Sequence, residues 1–341
     1  MSSVAYTAFR RAHPDVTVLR ASEPDEVRRY LVSRGLLDAA ESHLDVTAAG
    51  DGNMNCTLRV VTPQRRLIVK QARPWVEKYD QIPAPWDRSH VEAAYYASVA
   101  GIPGVGDRMP RMIDSDPAAR VLVLEDLGTR GDFTSMYSGG TMSDDECAAL
   151  FDYLVRLHRI DVPADRSDLL KNRDMRSLNH EHIFRYPLVE ANGVGLDQIT
   201  PGLQSLADEL KRDSVFVGRV AAMGDRYLED GSTLVHGDYF PGSWVRTDTG
   251  VAVIDPEFCF LGCGEFDFGV MLAHLILAAA ASAETGIVQS ASAAGDAALV
   301  GRFAGVEIMR RLIGVAQLPF PATLERKREL LALSRELVAG G

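Results

Sequence analysis

The sequence predicts an α+β protein with two lobes, a small β-rich N-terminal lobe and a larger, mainly helical C-terminal lobe. In the first third, short β-branched runs at residues 56–61 and 66–70 are bounded by turn-forming residues, a pattern typical of antiparallel hairpins. From about residue 143 onward, apolar residues recur at helical spacing. The length of 341 residues suffices for one large or two medium domains. We therefore expect an N-terminal lobe at residues 1–124, a hinge at 125–128 and a C-terminal lobe at 129–341.

Composition and charge exclude several classes of partner. The formal net charge of −11 argues against a nucleic-acid-binding surface and against an anionic membrane surface. The apolar stretch at residues 270–281 is too short for a membrane span, and we interpret it as a buried helix. Residues 1–15 contain no apolar signal-peptide core, and the four cysteines form no Cys-x-x-Cys pair. We therefore expect reduced thiols and a cytoplasmic location.

The turn that precedes the first hairpin strand is rich in glycine and asparagine. Gly50, Asp51, Gly52 and Asn53 can direct backbone N–H groups at phosphates, as glycine-rich loops do. The alternative is a turn that only connects two strands. Because kinase-like motifs follow in the chain, we predict that these four residues contact a nucleotide.

Lys70 is one of only five lysines and the only one that ends an apolar strand. A kinase needs a flexible point charge on the nucleotide phosphates, oriented by a glutamate from a nearby helix. Residues 90–100 predict a helix that carries Glu92 near its start. We therefore predict a Lys70–Glu92 pair. The alternative is that both side chains are solvated and that the helix dipole favours Glu92 at this position.

A strand at residues 120–124 is predicted to lead into the hinge, which contains Glu125 and Leu127. In a two-lobed kinase the adenine ring lies against the backbone at such a crossing, so we predict that both residues contact the nucleotide. Further along, Ser143 and the acidic residues after it predict the start of a helix spanning about residues 143–160. We interpret His158, at the end of that helix, as a packing or capping histidine.

The stretch at residues 234–243 carries the strongest functional signal. It contains His236-Gly-Asp238 and, five residues after the aspartate, Ser243. In protein kinases the catalytic loop carries a base Asp, a metal ligand five residues later, and a second metal-binding Asp after a short strand. Asp238, Ser243 and Asp255 stand at these three positions. We therefore predict Asp238 as the catalytic base and the other two as ligands of Mg²⁺.

Glu257 extends the predicted metal site. Residues 251–254 form a β-branched run, and if this extended geometry continues, the carboxylates of Asp255 and Glu257 point to one face. Pro256 between them disfavours a helical conformation at Asp255. Two carboxylates suit Mg²⁺, which takes one or two carboxylates together with substrate phosphates. The alternative is an acidic strand end that faces water.

Several segments together carry a resemblance that runs over nearly the whole chain. They are Gly50-Asp-Gly-Asn-Met-Asn55, Val69-Lys-Gln-Ala72, Leu124-Glu-Asp-Leu127, Asn172-Arg-Asp-Met-Arg-Ser-Leu-Asn-His-Glu-His-Ile-Phe184, Ile199-Thr-Pro-Gly-Leu-Gln204, His236-Gly-Asp238, Ile254-Asp-Pro-Glu-Phe258 and Glu307-Ile-Met-Arg-Arg311. The chain thereby resembles methylthioribose kinases. These sugar kinases have the two-lobed protein-kinase-like fold that aminoglycoside phosphotransferases and choline kinases share.

The resemblance implies an ATP- and Mg²⁺-dependent kinase that phosphorylates 5-methylthioribose at its 1-hydroxyl in methionine salvage, and it suggests a homodimer. It implies the roles given above for Asp238, Lys70 and the metal ligands. Arg310 and Arg311 correspond to an arginine pair at the substrate, where guanidinium groups can stabilise the charge of the transferring phosphoryl group. The alternative for this pair is an exposed basic patch on a C-terminal helix.

The chain departs from the family pattern at residues 239–241 and 259–265, on the predicted acceptor side. One alternative is therefore an aminoglycoside or other hydroxyl phosphotransferase of the same fold. A substrate with several amines favours a strongly acidic pocket, which Glu265 alone does not provide. A second alternative is a nucleotide-binding pseudokinase that acts as a scaffold. The presence of all four polar catalytic positions argues against it.

Overall fold

The computed structural model describes residues 4–41, 43–50, 54–279, 295–318 and 320–340. The chain divides into two compact units. The first comprises Met1–Ala100 and Pro110–Gly128, and the second comprises Gly101–Met109 and Thr129–Gly341. The segment Gly101–Met109, which precedes the predicted hinge, thus groups with the second unit.

The first unit contains the strands β1 Asp45–Ala48, β2 Cys56–Val61, β3 Arg66–Gln71, β4 Trp75–Val76, β5 Tyr79–Pro83, β6 Met112–Asp116 and β7 Val121–Glu125. Five of them form an antiparallel sheet in the order β1-β2-β3-β7-β6. The short strands β4 and β5 form a separate hairpin. Three helices accompany the sheet, α1 Val4–Ala12, α2 Pro24–Ser33 and α3 Arg88–Val99. Both hairpin strands predicted around residues 62–65 are confirmed.

Alternation along β2 explains which face of the sheet is buried. Cys56, Leu58 and Val60 are buried, whereas the residues between them are half-buried. This period of two places the buried side chains on one face of the strand. That face packs against apolar residues of α2, including Val27 and Leu31. Burial of this apolar face is what holds α2 on the sheet.

The second unit is mainly helical, as predicted. Its longer elements are α4 Asp144–Leu157, α5 Ala164–Ser167, α6 Arg173–His180, α7 Leu196–Ile199, α8 Leu203–Arg212, α9 Ser214–Leu228, α10 Glu265–Leu277, α11 Ala297–Ile313 and α12 Leu324–Ala339. Two antiparallel strand pairs are inserted between α9 and α10. They are β9 Trp244–Thr247 with β10 Gly250–Val253, and β8 Thr233–Val235 with β11 Phe260–Gly262. The β9–β10 hairpin confirms the strand predicted before Asp255.

The start of α4 shows how local sequence sets a helix boundary. Ser143 accepts a hydrogen bond from the backbone N–H of Glu146, and the Glu146 carboxylate accepts one from the backbone N–H of Ser143. This capping box satisfies two N–H groups that have no partner within the helix. The predicted N-terminus of the helix is therefore confirmed.

Helices α10 and α11 cross at close range. A Cβ atom added at Gly269 would lie 2.5 Å from Cβ of Phe303 and 2.9 Å from the carbonyl oxygen of Val300, so only glycine fits at this crossing. The crossing confirms that α10 is a buried helix up to Leu277. The end of the predicted apolar stretch, residues 280 and 281, lies outside the described residues. Within the described ranges, no helix has the length and apolar character that a membrane span requires.

Candidate active site

The loop after β8 carries His236, Gly237 and Asp238, and its path depends on the glycine. Gly237 has φ +84°, and a Cβ atom there would lie 2.0 Å from the carbonyl oxygen of Phe258. Any other residue would therefore be both strained and in collision with the backbone. The glycine allows the chain to pass beside the 256–258 segment that contains Glu257.

Asp267, near the start of α10, fixes the backbone of this loop. Its carboxylate accepts hydrogen bonds from the backbone N–H groups of His236, at 2.7 Å, and Gly237, at 2.9 Å. It is fully buried, and the ring of His158 lies 3.0 Å from its Oδ2 atom. His158 therefore has the capping position predicted at the end of α4 and also contacts the carboxylate that fixes the loop. Sequence reasoning missed Asp267 because its partners lie 30 or more residues away.

The buried ring of His236 supports the loop from within. Its Nε2 atom lies 3.1 Å from the carbonyl oxygen of Ile254, and its Nδ1 atom accepts from the backbone N–H of Asp238 at 3.4 Å. Burial lowers the pKa of His236, which keeps the ring neutral and suited to one donated and one accepted hydrogen bond. His236 is thus a structural member of the predicted motif, and Asp238 is the group that remains partly accessible.

Asp238 is the predicted base. Its side chain is 23% exposed, and its Oδ1 atom lies 3.5 Å from Nη2 of Arg311. Burial raises the pKa of Asp238, against the opposing effect of the positive charges of Arg311 and Arg310. A raised pKa makes this carboxylate a stronger base. Ser243, also buried, donates its hydroxyl proton to the backbone carbonyl of Asp238 at 2.8 Å, so the two ends of the loop are tied together.

Asp255 and Glu257 do not continue the extended strand, and that expectation is wrong. Asp255 has φ +67° and ψ +53°, a left-handed conformation, and Pro256–Phe258 forms a 3₁₀ turn. Pro256 disfavours right-handed helix at the preceding residue, and aspartate tolerates the left-handed region better than most residues. The turn is held by Asn172, whose amide donates to the carbonyls of Glu257 and Cys259 at 3.1 and 2.8 Å.

The donor set of this turn fits a hard divalent cation. Glu257 is buried with 2% of its surface exposed, which excludes the alternative of a water-facing acidic strand end for this residue. Among the described residues, no cluster of three or more His, Cys, Asp or Glu side chains could hold a metal ion by itself. Carboxylate oxygens such as those of Asp255 and Glu257 are the hard donors that Mg²⁺ takes together with substrate phosphates and water.

Arg310 and Arg311, at the end of α11, are buried. They are 8% and 7% exposed, so the exposed-patch alternative is wrong. Both contact the carboxylate of Glu307. Nη1 of Arg310 lies 2.9 Å from its Oε2 atom, and Nε of Arg311 lies 2.6 Å from its Oε1 atom. The same guanidinium of Arg311 that contacts Glu307 also faces Asp238.

Two further buried side chains extend this cluster. Nε2 of His274 lies 3.1 Å from Oε1 of Glu307, and Nδ1 of His274 lies 2.6 Å from the hydroxyl of Tyr137. Burial lowers the pKa of His274 to about 4. The nearby positive charges of Arg310 and Arg311 hold the pKa of Glu307 well below its usual range, despite the opposing effect of burial. The ring is therefore neutral, with Nε2–H donating to an ionised carboxylate and Nδ1 accepting from the tyrosine.

The neutral state of His274 predicts a pH-dependent loss of stability. Because its pKa falls from 6.5 to about 4 on folding, the unfolded state binds more protons between these pH values. Stability is then lost as the pH falls below about 6.5. We expect the titration of His274 to lower the free energy of unfolding by about 2 kcal/mol between pH 7 and pH 5. Urea unfolding at both pH values should show a shallower pH dependence in His274→Gln than in the parent protein. Equal slopes would contradict the assignment.

In the first unit, Lys70 and Glu92 form the predicted ion pair. Nζ of Lys70 lies 2.8 Å from both carboxylate oxygens of Glu92, and the two residues are 6% and 1% exposed. The alternative of two solvated side chains is therefore wrong. Lys70 lies opposite Thr57 on β2 and Leu122 on β7, in the centre of the sheet.

The other predicted nucleotide residues are only partly described. Gly50 has φ +73°, a conformation that glycine adopts without strain. The predicted contacts Asp51, Gly52 and Asn53 lie outside the described residues. Glu125 ends β7 and Leu127 follows it in the chain, and their contact with a nucleotide stays a prediction.

Comparison with known proteins finds methylthioribose kinases among the relatives. The chain is 28% identical over 246 residues to a methylthioribose kinase of Exiguobacterium sibiricum, a match that covers 67% of this chain and 60% of that protein. It is 28% identical over 260 residues to a methylthioribose kinase of Erwinia tasmaniensis, covering 73% and 64%. The chain thus spans about three-fifths of the length of these curated relatives. The predicted resemblance is confirmed.

Similarity to solved structures concerns the fold. A Plasmodium vivax ethanolamine kinase superposes with a TM-score of 0.56 at 10% identity, covering 99% of this chain and 94% of that chain. A choline/ethanolamine kinase family protein of Mesorhizobium loti gives 0.54 at 14% identity, covering 93% and 99%. A spectinomycin phosphotransferase, solved with ADP and spectinomycin, gives 0.51 at 12% identity, covering 87% and 92%. The protein-kinase-like α+β fold predicted from the sequence is therefore confirmed.

A family model accounts for most of the chain. The model described as the phosphotransferase enzyme family, APH, matches residues 45–299, a range that includes Lys70, Asp238, Asp255 and Glu257. Since this match covers well over half of the sequence, the chain belongs to the APH phosphotransferase enzyme family.

Proposed function

We propose that this protein is an ATP-dependent small-molecule kinase that converts 5-methylthioribose to its 1-phosphate. One observation carries the proposal, the contact of the base Asp238 with a buried arginine pair. A guanidinium of that pair lies 3.5 Å from the Asp238 carboxylate and is itself fixed by Glu307. Carboxylate and guanidinium side by side suit an acceptor hydroxyl that loses a proton as it receives a phosphoryl group. The methylthioribose kinases among the relatives support the choice of sugar.

In this reaction Asp238 orients the anomeric hydroxyl and accepts its proton. The sugar oxygen forms a bond to the γ-phosphorus of ATP while the bond from that phosphorus to the β,γ-bridging oxygen breaks, and ADP leaves. Arg310 and Arg311 stabilise the negative charge on the transferring group. Most of the rate enhancement then comes from positioning and from charge stabilisation.

Asp255 and Glu257, with Ser243, would hold Mg²⁺, which when bound neutralises charge on the nucleotide phosphates. Lys70, oriented by Glu92, would act as a point charge on nucleotide phosphates.

In the same proposal, the backbone of the turn at residues 50–53 and the hinge residues Glu125 and Leu127 contact the nucleotide. We also propose, as in the sequence analysis, that the protein is cytoplasmic and forms a homodimer. Analytical ultracentrifugation of the full chain tests the dimer.

The altered acceptor-side loops bear on the alternative of another hydroxyl acceptor. Tyr239 is fully buried and its hydroxyl donates to a backbone carbonyl of α4, so this change lies in the core. Cys259 and Cys263 are also buried. Phe240 is different, because its half-buried ring lies 4.8 Å from the Arg311 guanidinium. This ring makes a cation–π contact with Arg311, so Phe240 is the changed residue that lies beside the arginine pair proposed to contact the acceptor.

A substrate panel with the purified protein tests the proposal directly. ADP release would be measured with ATP, Mg²⁺ and either methylthioribose, ribose, choline, ethanolamine, spectinomycin or kanamycin. We expect methylthioribose to give the highest kcat/KM. Transfer to an amine-containing acceptor alone would favour the alternative phosphotransferase, and nucleotide binding without transfer to any acceptor would favour the pseudokinase.

Removal of either proposed metal ligand should weaken Mg²⁺-dependent ATP binding. Asp255→Ala and Glu257→Ala each remove one carboxylate of a shared site, so the double variant should lose less than the sum of the two single losses. We expect a coupling of roughly 0.5–3 kcal/mol, measured by calorimetric ATP titration at several Mg²⁺ concentrations. The exposed Asp248, changed to Ala, serves as the control. Unaltered Mg²⁺ dependence in both single variants would exclude this site.

A further inference from the structure

We propose that Glu307 is a positioning residue for phosphoryl transfer, which fixes both guanidinium groups so that their remaining N–H groups face an oxyanion. The inference rests on the proposed function, in which Arg310 and Arg311 contact the acceptor and the transferring group. It adds a residue that contacts neither substrate and acts through the pair. The resemblance to known kinases assigns no role to Glu307, His274 or Tyr137.

A single buried carboxylate holds both arginines. Glu307 is 1% exposed and precedes Arg310 by three and Arg311 by four residues on α11, so all three lie on one face of the helix. Arg310 contacts both carboxylate oxygens through Nη1, at 3.2 and 2.9 Å. Arg311 contacts Oε1 through Nε at 2.6 Å. Each guanidinium is therefore tied at a defined nitrogen, and its orientation about the side-chain axis is restricted.

Two guanidinium nitrogens that do not contact Glu307 indicate where a ligand would bind. Within the described residues, Nε of Arg310 and Nη2 of Arg311 are buried and have no hydrogen-bond partner. Nη2 of Arg311 is the atom that lies 3.5 Å from Asp238. Buried donors normally have partners, and a guanidinium donor of Arg311 beside the Asp238 carboxylate matches a phosphoryl or sugar oxygen.

Charge explains why a carboxylate is needed at this place. Two buried guanidinium groups repel each other, and burial of unpaired charge is costly. Glu307 lies between them and remains ionised, since their positive charges hold its pKa well below the usual range. A neutral residue of the same shape would leave the pair without its counter-charge. It would also place an amide N–H against an arginine N–H.

His274 and Tyr137 fix the carboxylate from the other side. The neutral ring of His274 donates from Nε2 to Glu307 at 3.1 Å and accepts the Tyr137 hydroxyl proton at 2.6 Å. His274 lies on α10 and Tyr137 on the 3₁₀ turn Thr134–Ser138. The carboxylate thus receives hydrogen bonds from α10 and α11, which prevents it from turning with the arginines.

A double-variant cycle on kcat/KM tests the proposal. Glu307→Gln should lower kcat/KM for methylthioribose by at least about 10-fold in the parent protein. In a background of Arg310→Ala with Arg311→Ala, the same change should cost less than about 3-fold, because no guanidinium remains to be positioned. Labelled ATP makes the slow reactions measurable. Equal factors in both backgrounds would show a purely structural role and overturn the proposal.

A matched control is available on α12. Glu329 contacts Nη1 of Arg326 at 2.9 Å with a spacing of three residues, as Glu307 contacts Arg310, but both side chains are exposed. Glu329→Gln should leave kcat/KM unchanged. Tyr137→Phe provides a milder variant that removes only one hydroxyl, and it should lower kcat/KM in the same direction as Glu307→Gln but by less.

Side-chain NMR separates failure of this inference from failure of the proposed function. The Nε–H signal of Arg311, identified by its loss in Arg311→Lys, should shift or exchange rapidly in Glu307→Gln and remain in Glu329→Gln. The Nε–H signal of Arg88, which donates to Asn55 at 3.0 Å in the other unit, reports an intact fold in each variant. An unchanged Arg311 signal in Glu307→Gln would overturn the positioning role whatever the substrate. A shifted signal with no transfer to methylthioribose would refute only the choice of sugar.

Discussion

Asp238→Asn is expected to abolish phosphoryl transfer and to leave nucleotide affinity close to that of the parent protein. The substitution preserves the size of the side chain but removes the carboxylate that we propose accepts the proton of the acceptor hydroxyl. General-base catalysis contributes about 10²- to 10⁴-fold, so turnover should fall by at least the lower of these factors. The backbone of the loop should keep its path, because it is fixed by Asp267 and by Gly237 and not by the Asp238 carboxylate.

The measurement pairs steady-state transfer to methylthioribose with calorimetric titration of ATP. Asp168→Asn is a matched control, since this aspartate is 94% exposed and its carboxylate contacts Lys171 on the protein surface. It should behave as the parent in both assays. Comparable turnover in Asp238→Asn would remove this residue from the mechanism. A parallel loss of ATP affinity would assign it to nucleotide binding instead.

Local patterns predicted the parts of the fold that depend on nearby residues. The hairpin of β2 and β3 follows from β-branched runs around a turn, and the start of α4 follows from Ser143 and Glu146. The Lys70–Glu92 pair was predicted because one strand-end lysine and one helical glutamate fit a known functional pairing. Such signals lie within short windows of sequence, so a single sequence is enough to detect them.

The backbone geometry at Asp255 could not be predicted from local sequence. A β-branched run before an aspartate predicts continued extension, but the left-handed turn depends on Asn172, more than 80 residues earlier in the chain. Glu307, His274 and Tyr137 form a hydrogen-bonded chain across separate elements, with a separation of 137 residues between the tyrosine and the histidine. No periodic pattern reports that these residues meet, because tertiary packing alone brings them together.

Burial of the arginine pair also depends on tertiary packing. A run of two arginines near the end of a helix is favoured by the helix dipole, and it predicts an exposed basic end as readily as a functional one. The segment from Phe303 to Ile313 is buried throughout, so the helix has no solvated face there. A buried counter-ion was therefore required, and Glu307 supplies it from the preceding turn.

Arg311→Ala is expected to lower kcat for sugar phosphorylation by about 10³-fold, the lower end of the range found for arginines that contact a transferring phosphoryl group. ATP affinity measured without sugar should change little. Arg311→Lys should also be impaired, because an ammonium group cannot contact Glu307 and face Asp238 with the fixed geometry of a planar guanidinium. Arg310→Ala should reduce kcat in the same direction.

Because Arg311 is buried, loss of activity alone cannot distinguish a catalytic contact from damage to the fold. Removing one partner of a buried ion pair destabilises a protein by roughly 3–5 kcal/mol, whatever the function of the pair. Chemical rescue makes the distinction. Ethylguanidinium at millimolar concentration should restore part of the kcat of Arg311→Ala, since it can occupy the space of the missing group between Glu307 and Asp238, and it should not affect Glu329→Gln. Circular dichroism would confirm that the variant is folded at the assay temperature. A folded Arg311→Ala protein with parent kinetics would exclude the arginine from the site and weaken the case for this sugar, because the arginine pair is part of what links the chain to methylthioribose kinases.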